Sequence, residues 1–492
     1  MTSPLNLRFG NVHLTSGAGG DATEIPPDTP FRLLVCGNLS GNRDNLIASN
    51  QRKPIFIDRD NFDEILARLS PSVTLPNSDA GMELTISFRE LNDFHPDGLF
   101  RSLPVFDKLR TLQTEIGNPA TFQQAAAKIR TWAKLPDVAP TTVQPQNIAT
   151  PGILEEILLN TKQTQASGRS DWQRFLRDIV EPHLVEKADP NQKEYALVVE
   201  HAIGAQMRTI LHDPTFQSLE AAWRSVFLLV QRLPTDASLQ IFVLDTSVDE
   251  MRADLAQNDP RDSVFVRAVI EGAADKPWAS VVSLELFGNA IADLELLASM
   301  AMVSSRTRTP ILAGAVPALV GCPSLAASPD PRSWKPDPAI AAAWEMIQGM
   351  DVSRFLGLVA PRFLLRLPYG KDAAETESFH FEEMPTPDHE SYLWGSGAVL
   401  CGVWLAEAFV ASGWQLNLDE RTEINGLPVH IYRDEGEAHM KPCAEVFLRD
   451  AALECLMDHG LMVVTSLPNR DGVRLARFQS AAKEPQQLAG RW

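Results

Sequence analysis

Four prolines fall within LPDVAPTTVQPQNIATPG, residues 135–152. Each removes a backbone donor and fixes φ, and the Thr, Gln and Asn between them give a core little to bury. The stretch therefore predicts an extended connector. It divides the 492-residue chain into residues 1–134 and 153–492, within a length that admits two to four domains. No fixed-period repeat crosses it.

Before the connector, residues 5–14 alternate as a strand, with Leu5, Leu7 and Phe9 on one face and Val12 and Leu14 following after Gly10 shifts the phase. That slip predicts a bulge or bend. PFRLLVCG supplies a strand at 31–36. KPIFIDRDNFDEILARLSP reads as a strand at 54–57, then a helix opened by Asp60 or Asn61 with Phe62, Ile65, Leu66 and Leu69 inward. MELTISF is a strand at 82–88; a docked turn, a helix and a weaker helix over about 119–134 follow.

After the connector, GILEEILLNT is a short amphipathic helix with Ile153, Leu154, Ile157 and Leu158 as its stripe. A polar run, KQTQASGRS, separates it from the next helix, so 153–185 reads as a helical segment ahead of a core at 186–492. Asp189–Pro190 and Asp213–Pro214 each start a long helix, burying Val199, Ile203, Met207, Ile210 and Leu211 in the first and Phe216, Leu219, Trp223, Val226 and Val230 in the second. Strands at LQIFVLD, WASVVSLELFG, PILAGAV, PRFLLRLPYG, PVHIY, CAEVFL and LMVVT then alternate with helices, one of them opened by a Ser247–Glu250 capping box. The fold class is α/β, with mixed or mostly parallel sheets covered by helices.

The glycines after the strand at 31–36 raise the question of a phosphate-cradling turn. Gly37 and Gly41 enclose three residues, Asn42 stands where a P-loop lysine belongs, and Leu39 occupies the middle glycine position of a dinucleotide fingerprint. Neither nucleotide motif is met. The formal net charge of −19 opposes binding to nucleic acid or to an acidic membrane surface. Cys36, Cys322, Cys401, Cys443 and Cys455 form no C-x-x-C pair, which suits buried thiols in a reducing compartment. MTSPLNLRFG lacks the pattern of a signal peptide, and GAVLCGVWLAEAFVASGW, interrupted by Glu407, reads as a buried helix in place of a membrane span. A cytoplasmic location, no membrane insertion and no cofactor are expected.

The densest polar cluster is ETESFHFEEMPTPDHESY, 375–392, with His380, Glu382, Glu383, Asp388, His389 and Glu390. It reads as a solvated acidic loop; a metal or acid–base site is the alternative, although H-E-x-x-H is absent. WGSGAV around Ser396 misses the nucleophile elbow, with Trp394 where glycine is required. His201 and His212 lie on helical faces. No catalytic or metal-binding residue is assigned, and the function is expected to reside in surfaces.

Longer segments then resemble a known family. PFRLLVCGNLSG, RKPIFIDRDNFDEILARLSP, LTISFRELNDFHPDGLFRSLPVFDKLRTL and IGNPATFQQAAAKI resemble TssB (VipA), the small sheath subunit of type VI secretion systems. GILEEILLNT, ADPNQKEYALVVEHAIGAQMRTILHDPTFQSLEAAWRSVFLLV, APRFLLRLPYGKDAAETESFHFEE, SYLWGSGAVL and INGLPVHIY resemble TssC (VipB), the large subunit, in its usual order. The resemblance covers nearly the whole chain and implies a fusion of the two, with a contractile-sheath core shared by both halves. It further implies a non-enzymatic polymer of this chain, alone or with separate sheath subunits, around an Hcp tube, triggered by baseplate components and recycled by a ClpV-type ATPase. Strand addition between neighbours would use Leu5, Leu7, Phe9, Val12 and Leu14 as a donor arm; the alternative is an internal edge strand. Ile153, Leu154, Ile157 and Leu158 would engage the ATPase; the alternative is packing on their own domain. The family's large subunit continues through a C-terminal segment that is not found before Trp492. This motivates a second reading, a sheath-like accessory that caps, nucleates or restrains a sheath of other subunits.

Overall fold

The computed structural model describes residues 7–9, 12–14, 25–26, 28–41, 52–76, 83–132 and 192–492, except 258–261, 274–275, 289, 372, 419–421 and 435. The chain divides into two compact units, Met1–Ser102 with Gln206–Trp492, and Leu103–Ala205. The connector at 135–152 and the helix expected from residue 153 lie outside the described residues.

Among the described residues the strands lie in the larger unit. Ahead of the connector these are β1 (Leu7–Phe9), β2 (Val12–Leu14), β3 (Phe31–Gly37), β4 (Ile55–Ile57), β5 (Ser72–Pro76) and β6 (Glu83–Ser87). Beyond it come β7 (Leu239–Asp245), β8 (Ser280–Phe287), β9 (Ile311–Ala315), β10 (Leu356–Ala360), β11 (Phe363–Leu364) and β12 (Trp394–Gly395). The last are β13 (Glu423–Asn425), β14 (His430–Asp434), β15 (Glu437–Lys441), β16 (Leu461–Ser466) and β17 (Gly472–Leu475).

One sheet takes the order β13-β17-β16-β10-β9-β8-β3-β7-β4. Its centre, from β16 to β7, is parallel. Antiparallel pairing closes both flanks, β4 on β7 at one end and β17 with β13 at the other. β3 lies between β8 and β7, with Phe31 opposite Leu239, Gly37 opposite Asp245 and Leu33 opposite Ser280. A strand from before the connector therefore sits inside a sheet whose neighbours come from after it. Phe31, Leu33, Leu34, Val35 and Cys36 have no exposed surface, because a parallel strand covered on both faces reads as an unbroken apolar run. Full burial of each large side chain contributes about 1.5–3 kcal/mol.

On one face, Leu34 and Cys36 join Val281, Ala313, Leu358 and Val463 in a core closed by Leu294 and Leu297 of helix Ile291–Thr307. On the other, Phe31 stacks on Phe409 of helix Ala398–Ser412 at 4.8 Å. That helix is apolar nearly all round and buried against β8, β9 and β10, the outcome expected from its sequence.

Two helix-start signals act as read, while the Asp189–Pro190 start lies outside the described residues and Asn61 precedes helix Phe62–Leu69 without a side-chain cap bond. Asp213 accepts from Thr215 N at 2.8 Å and Phe216 N at 3.2 Å, ahead of helix Pro214–Arg232. Ser247 and Glu250 form both bonds of a capping box. All ten apolar residues assigned to the two long helices are buried.

The described residues of the smaller unit form helices: Asp107–Gly117, Pro119–Trp132 and the first part of Gln192–Leu211. Lys128 pairs with Glu115 at 2.7 Å, Arg130 Nε donates to the Tyr195 hydroxyl at 2.6 Å, and Gln192 Nε2 donates to Ile116 O at 2.6 Å.

Several local expectations change. Residues 5–14 do not form one bent strand: β1 and β2 pair antiparallel, Leu7 with Leu14 and Phe9 with Val12. Gly-Asn between them is the composition of a two-residue hairpin loop. Of PRFLLRLPYG only Phe363–Leu364 is strand, and the sheet instead takes β10 just before it. Pro361 and Pro368 lack ladder donors, and Arg362 and Arg366 turn to buried carboxylates. CAEVFL is not a strand, because Glu445 adopts φ 52° and aims its carboxylate inward. β5, β10, β12, β13, β15 and β17 carried no sequence expectation.

Candidate functional site

The turn after β3 holds the sequence's most suggestive glycines. Its Leu39 and Ser40 N–H groups donate to Asp245 Oδ1 at 2.9 and 3.1 Å, and the Ser40 hydroxyl donates to Oδ2 at 2.8 Å. The donors a phosphate would need are thus bonded to the chain's own carboxylate at the end of β7. Trp223 Nε1 donates to Leu39 O at 2.8 Å, and Arg52 makes two bonds to Glu250 at 2.9 and 3.0 Å. Gly41 is needed for close approach: at φ +68°, a Cβ there would lie 2.2 Å from Ser72 O. The turn fastens the two sequence halves together.

A second fastening uses Asp97, whose two oxygens accept from Glu377 N at 2.9 Å and Ser378 N at 2.8 Å. Burial pushes the Asp97 carboxyl up, but these backbone donors outweigh it and leave the group below its ordinary value. The rings of Phe100 and Phe379 pack together with their centres 4.7 Å apart.

The loop at 375–392 is not simply solvated. Glu383 is 1% exposed and accepts from Arg366 at 2.7 and 3.1 Å and from Tyr369 N at 2.7 Å. Arg366 also reaches the fully buried Glu220 at 2.8 Å, which Arg224 holds at 2.7 Å. Burial opposes ionisation of Glu383, yet Arg366 prevails and its carboxyl sits at about 2. The charge run hides a buried acid because a guanidinium from another segment fills its fork.

His389 and Glu390 serve a neighbouring cluster. Glu445, 3% exposed, accepts from Arg362 N at 3.0 Å and Arg362 Nε at 3.1 Å, with His389 Nε2 3.1 Å away. Burial again opposes the charge, while His389 and Arg362 bring the Glu445 carboxyl to about 2. Lys441 lies 2.5 Å from His389 Nδ1 and 5.5 Å from the Tyr392 ring centre. His380 is exposed, Asp388 bonds the Ser391 hydroxyl, and Glu382 O accepts from Arg208 at 2.9 Å. Among the described residues no group of three or more His, Cys, Asp or Glu is arranged to hold a metal ion. The buried Ser396 Oγ has no hydrogen-bond partner among them.

Of the proposed arm, Leu7, Phe9, Val12 and Leu14 fall in the β1–β2 ribbon, while Leu5 lies outside the described residues. Ile153, Leu154, Ile157 and Leu158 also lie outside them. The structure presents other surfaces that sequence reading missed: the flank strands β4 and β13, and the β14–β15 ribbon, where Ile431 is 67% exposed. The isolated Ile between polar residues on a ribbon was the one available signal. No helix among the described residues is long and apolar enough to cross a membrane.

Comparison with known proteins matches the two halves separately. Residues 12–130 fit the model of the type VI secretion system VipA family, and residues 194–482 fit that of the EvpB/VipB tail sheath N-terminal domain. The type VI secretion system sheath protein TssC1 of Pseudomonas aeruginosa is 30% identical over 296 residues, 57% of this chain and 59% of that protein. The sheath protein TssB1 of the same organism is 31% identical over 99 residues, 19% of this chain and 58% of its own length. The chain thus spans less than two thirds of either relative. The chain belongs to the type VI secretion sheath protein family, and it joins a TssB-like and a TssC-like half in one polypeptide.

Proposed function

We propose that this protein is a structural subunit of a type VI secretion contractile sheath, polymerising in the cytoplasm around an Hcp tube and driving its ejection by contraction. The observation that carries the reading is β3, a TssB-like strand built into the centre of the TssC-like sheet. Such a sheet makes the small and large halves one mechanical body at a fixed one-to-one ratio, and the tether raises their effective concentration. Work would come from repacking subunit interfaces upon a baseplate signal, with no bond cleaved in the chain. The flank strands and the β1–β2 arm offer backbone donors and acceptors for copies of this chain or separate sheath subunits. Electron microscopy of the purified protein tests this: long tubules are expected, and discrete particles or rings would favour a capping or nucleating accessory instead.

Recycling by a ClpV-type ATPase is proposed to use Ile153, Leu154, Ile157 and Leu158 as helix-in-groove contacts. Replacing Leu154 and Ile157 together by Asp is expected to abolish ATPase pull-down while leaving the thermal melting curve in place. Unchanged pull-down refutes the assignment.

A further inference from the structure

A cleft of about 1000 Å³ opens beside β3 and β7, lined in part by Arg32, Lys53, Arg267, Asp262, Glu271 and Trp278. On a chain with 63 acidic and 44 basic residues, this concentration of cations reverses the prevailing charge. The cations differ in what already holds them. Arg52, also on the lining, is occupied by Glu250 and the Asp245 carbonyl. Arg32 Nη1 donates to Gly272 O at 3.0 Å and Lys276 O at 2.5 Å, which fixes the guanidinium in the cleft wall. Its Nε is buried with no hydrogen-bond partner, an orphan donor of the kind that an incoming acceptor satisfies. Lys53 makes no hydrogen bond or ion pair to any described residue.

From this geometry we propose that the cleft binds the carboxylates of an acidic peptide segment from a protein partner, with Lys53 and Arg32 as the recognising cations. It goes beyond the sheath reading, which assigns no role to these residues. A nucleotide base is disfavoured because its stacking platform is taken: the Arg32 guanidinium lies 3.8 Å over the Trp278 ring and 4.7 Å over Phe242. The exposed Asp262 and Glu271 on the lining penalise a multiply charged phosphate more than single carboxylates spaced along a peptide.

The test uses the full chain and fluorescein-labelled hexaglutamate, with hexaglutamine as the uncharged control, read by anisotropy. Hexaglutamate is expected to bind and hexaglutamine not. Lys53→Glu should weaken binding about tenfold or more, the scale of one charge-assisted hydrogen bond, without moving the melting temperature. Should the reversal unfold the chain, Lys53→Gln keeps the side-chain stem and is expected to weaken binding in the same direction. Failure of hexaglutamate to bind, equal binding of both peptides, or indifference to both Lys53 variants overturns the proposal. An oligothymidylate of equal charge that binds more tightly than hexaglutamate overturns it in favour of nucleic acid.

Discussion

Arg362 and Arg366 stand four residues apart on one segment, yet they serve clusters of different character. Arg366 is 9% exposed and lies between Glu220 and Glu383, themselves 0% and 1% exposed. Arg362 is 22% exposed and shares Glu445 with His389, while its outer face meets the 66% exposed Glu390 at 3.3 Å. The first is a dry brace between helix Pro214–Arg232 and the loop after residue 370. The second is a partly wet junction with alternative partners. Removing a partner from a dry pair strands a charge, whereas a wet junction can re-form around water.

The largest effect expected from this contrast is at Arg366. Arg366→Met leaves the buried Glu383 without its guanidinium and Glu220 with Arg224 alone, and should cost about 3–5 kcal/mol of unfolding free energy. Urea denaturation measures it, and a loss under 1 kcal/mol would erase the distinction drawn between the clusters. Glu445→Gln should cost less, about 1–2 kcal/mol by the same measurement, because Arg362 keeps Glu390 and the Trp394 ring at 5.5 Å.

Acid titration sharpens the comparison further. Glu383 and Glu445 both sit at about 2, below their ordinary 4.5. A carboxyl depressed in the folded state adds stability that is complete above pH 4.5 and is lost as pH falls towards 2. Stability should therefore drop across that window. Glu383→Gln should flatten the drop, and an unaltered pH profile would show that its ion pair does not govern acid sensitivity. The smallest expected effect is Lys441→Met, about 0.5–1 kcal/mol, since its ring contacts at 5.5 and 5.8 Å lie at a partly exposed site.

How much of this was legible depended on how far apart the interacting residues lie in the chain. The Asp213–Pro214 start, the Ser247–Glu250 box and the inward stripe from Phe216 to Val230 are interactions over a few residues, and each is found as read. Phe31–Cys36 was legible as a strand because its apolar run is continuous. The loop at 375–392 misled because the guanidinium that draws Glu383 inward belongs to Arg366, and Glu220 completes the cluster from a helix 146 residues before that arginine. The PRFLLRLPYG segment misled for the same reason: its apolar residues suggest a strand, while its arginines are committed elsewhere.

By itself the sequence determined the continuous apolar strands, the helix starts at Asp213 and Ser247, the acidic character and a family resemblance in both halves. Periodicity, capping and composition act within a few residues and so are written locally. Only the tertiary structure decided that β3 lies between β8 and β7, and that the N–H groups of the glycine turn bond Asp245, 206 residues beyond Leu39. Strand order is set by the summed burial of two sheet faces, and a polar turn's partner by whichever carboxylate that order brings alongside; neither leaves a mark on the residues read one stretch at a time.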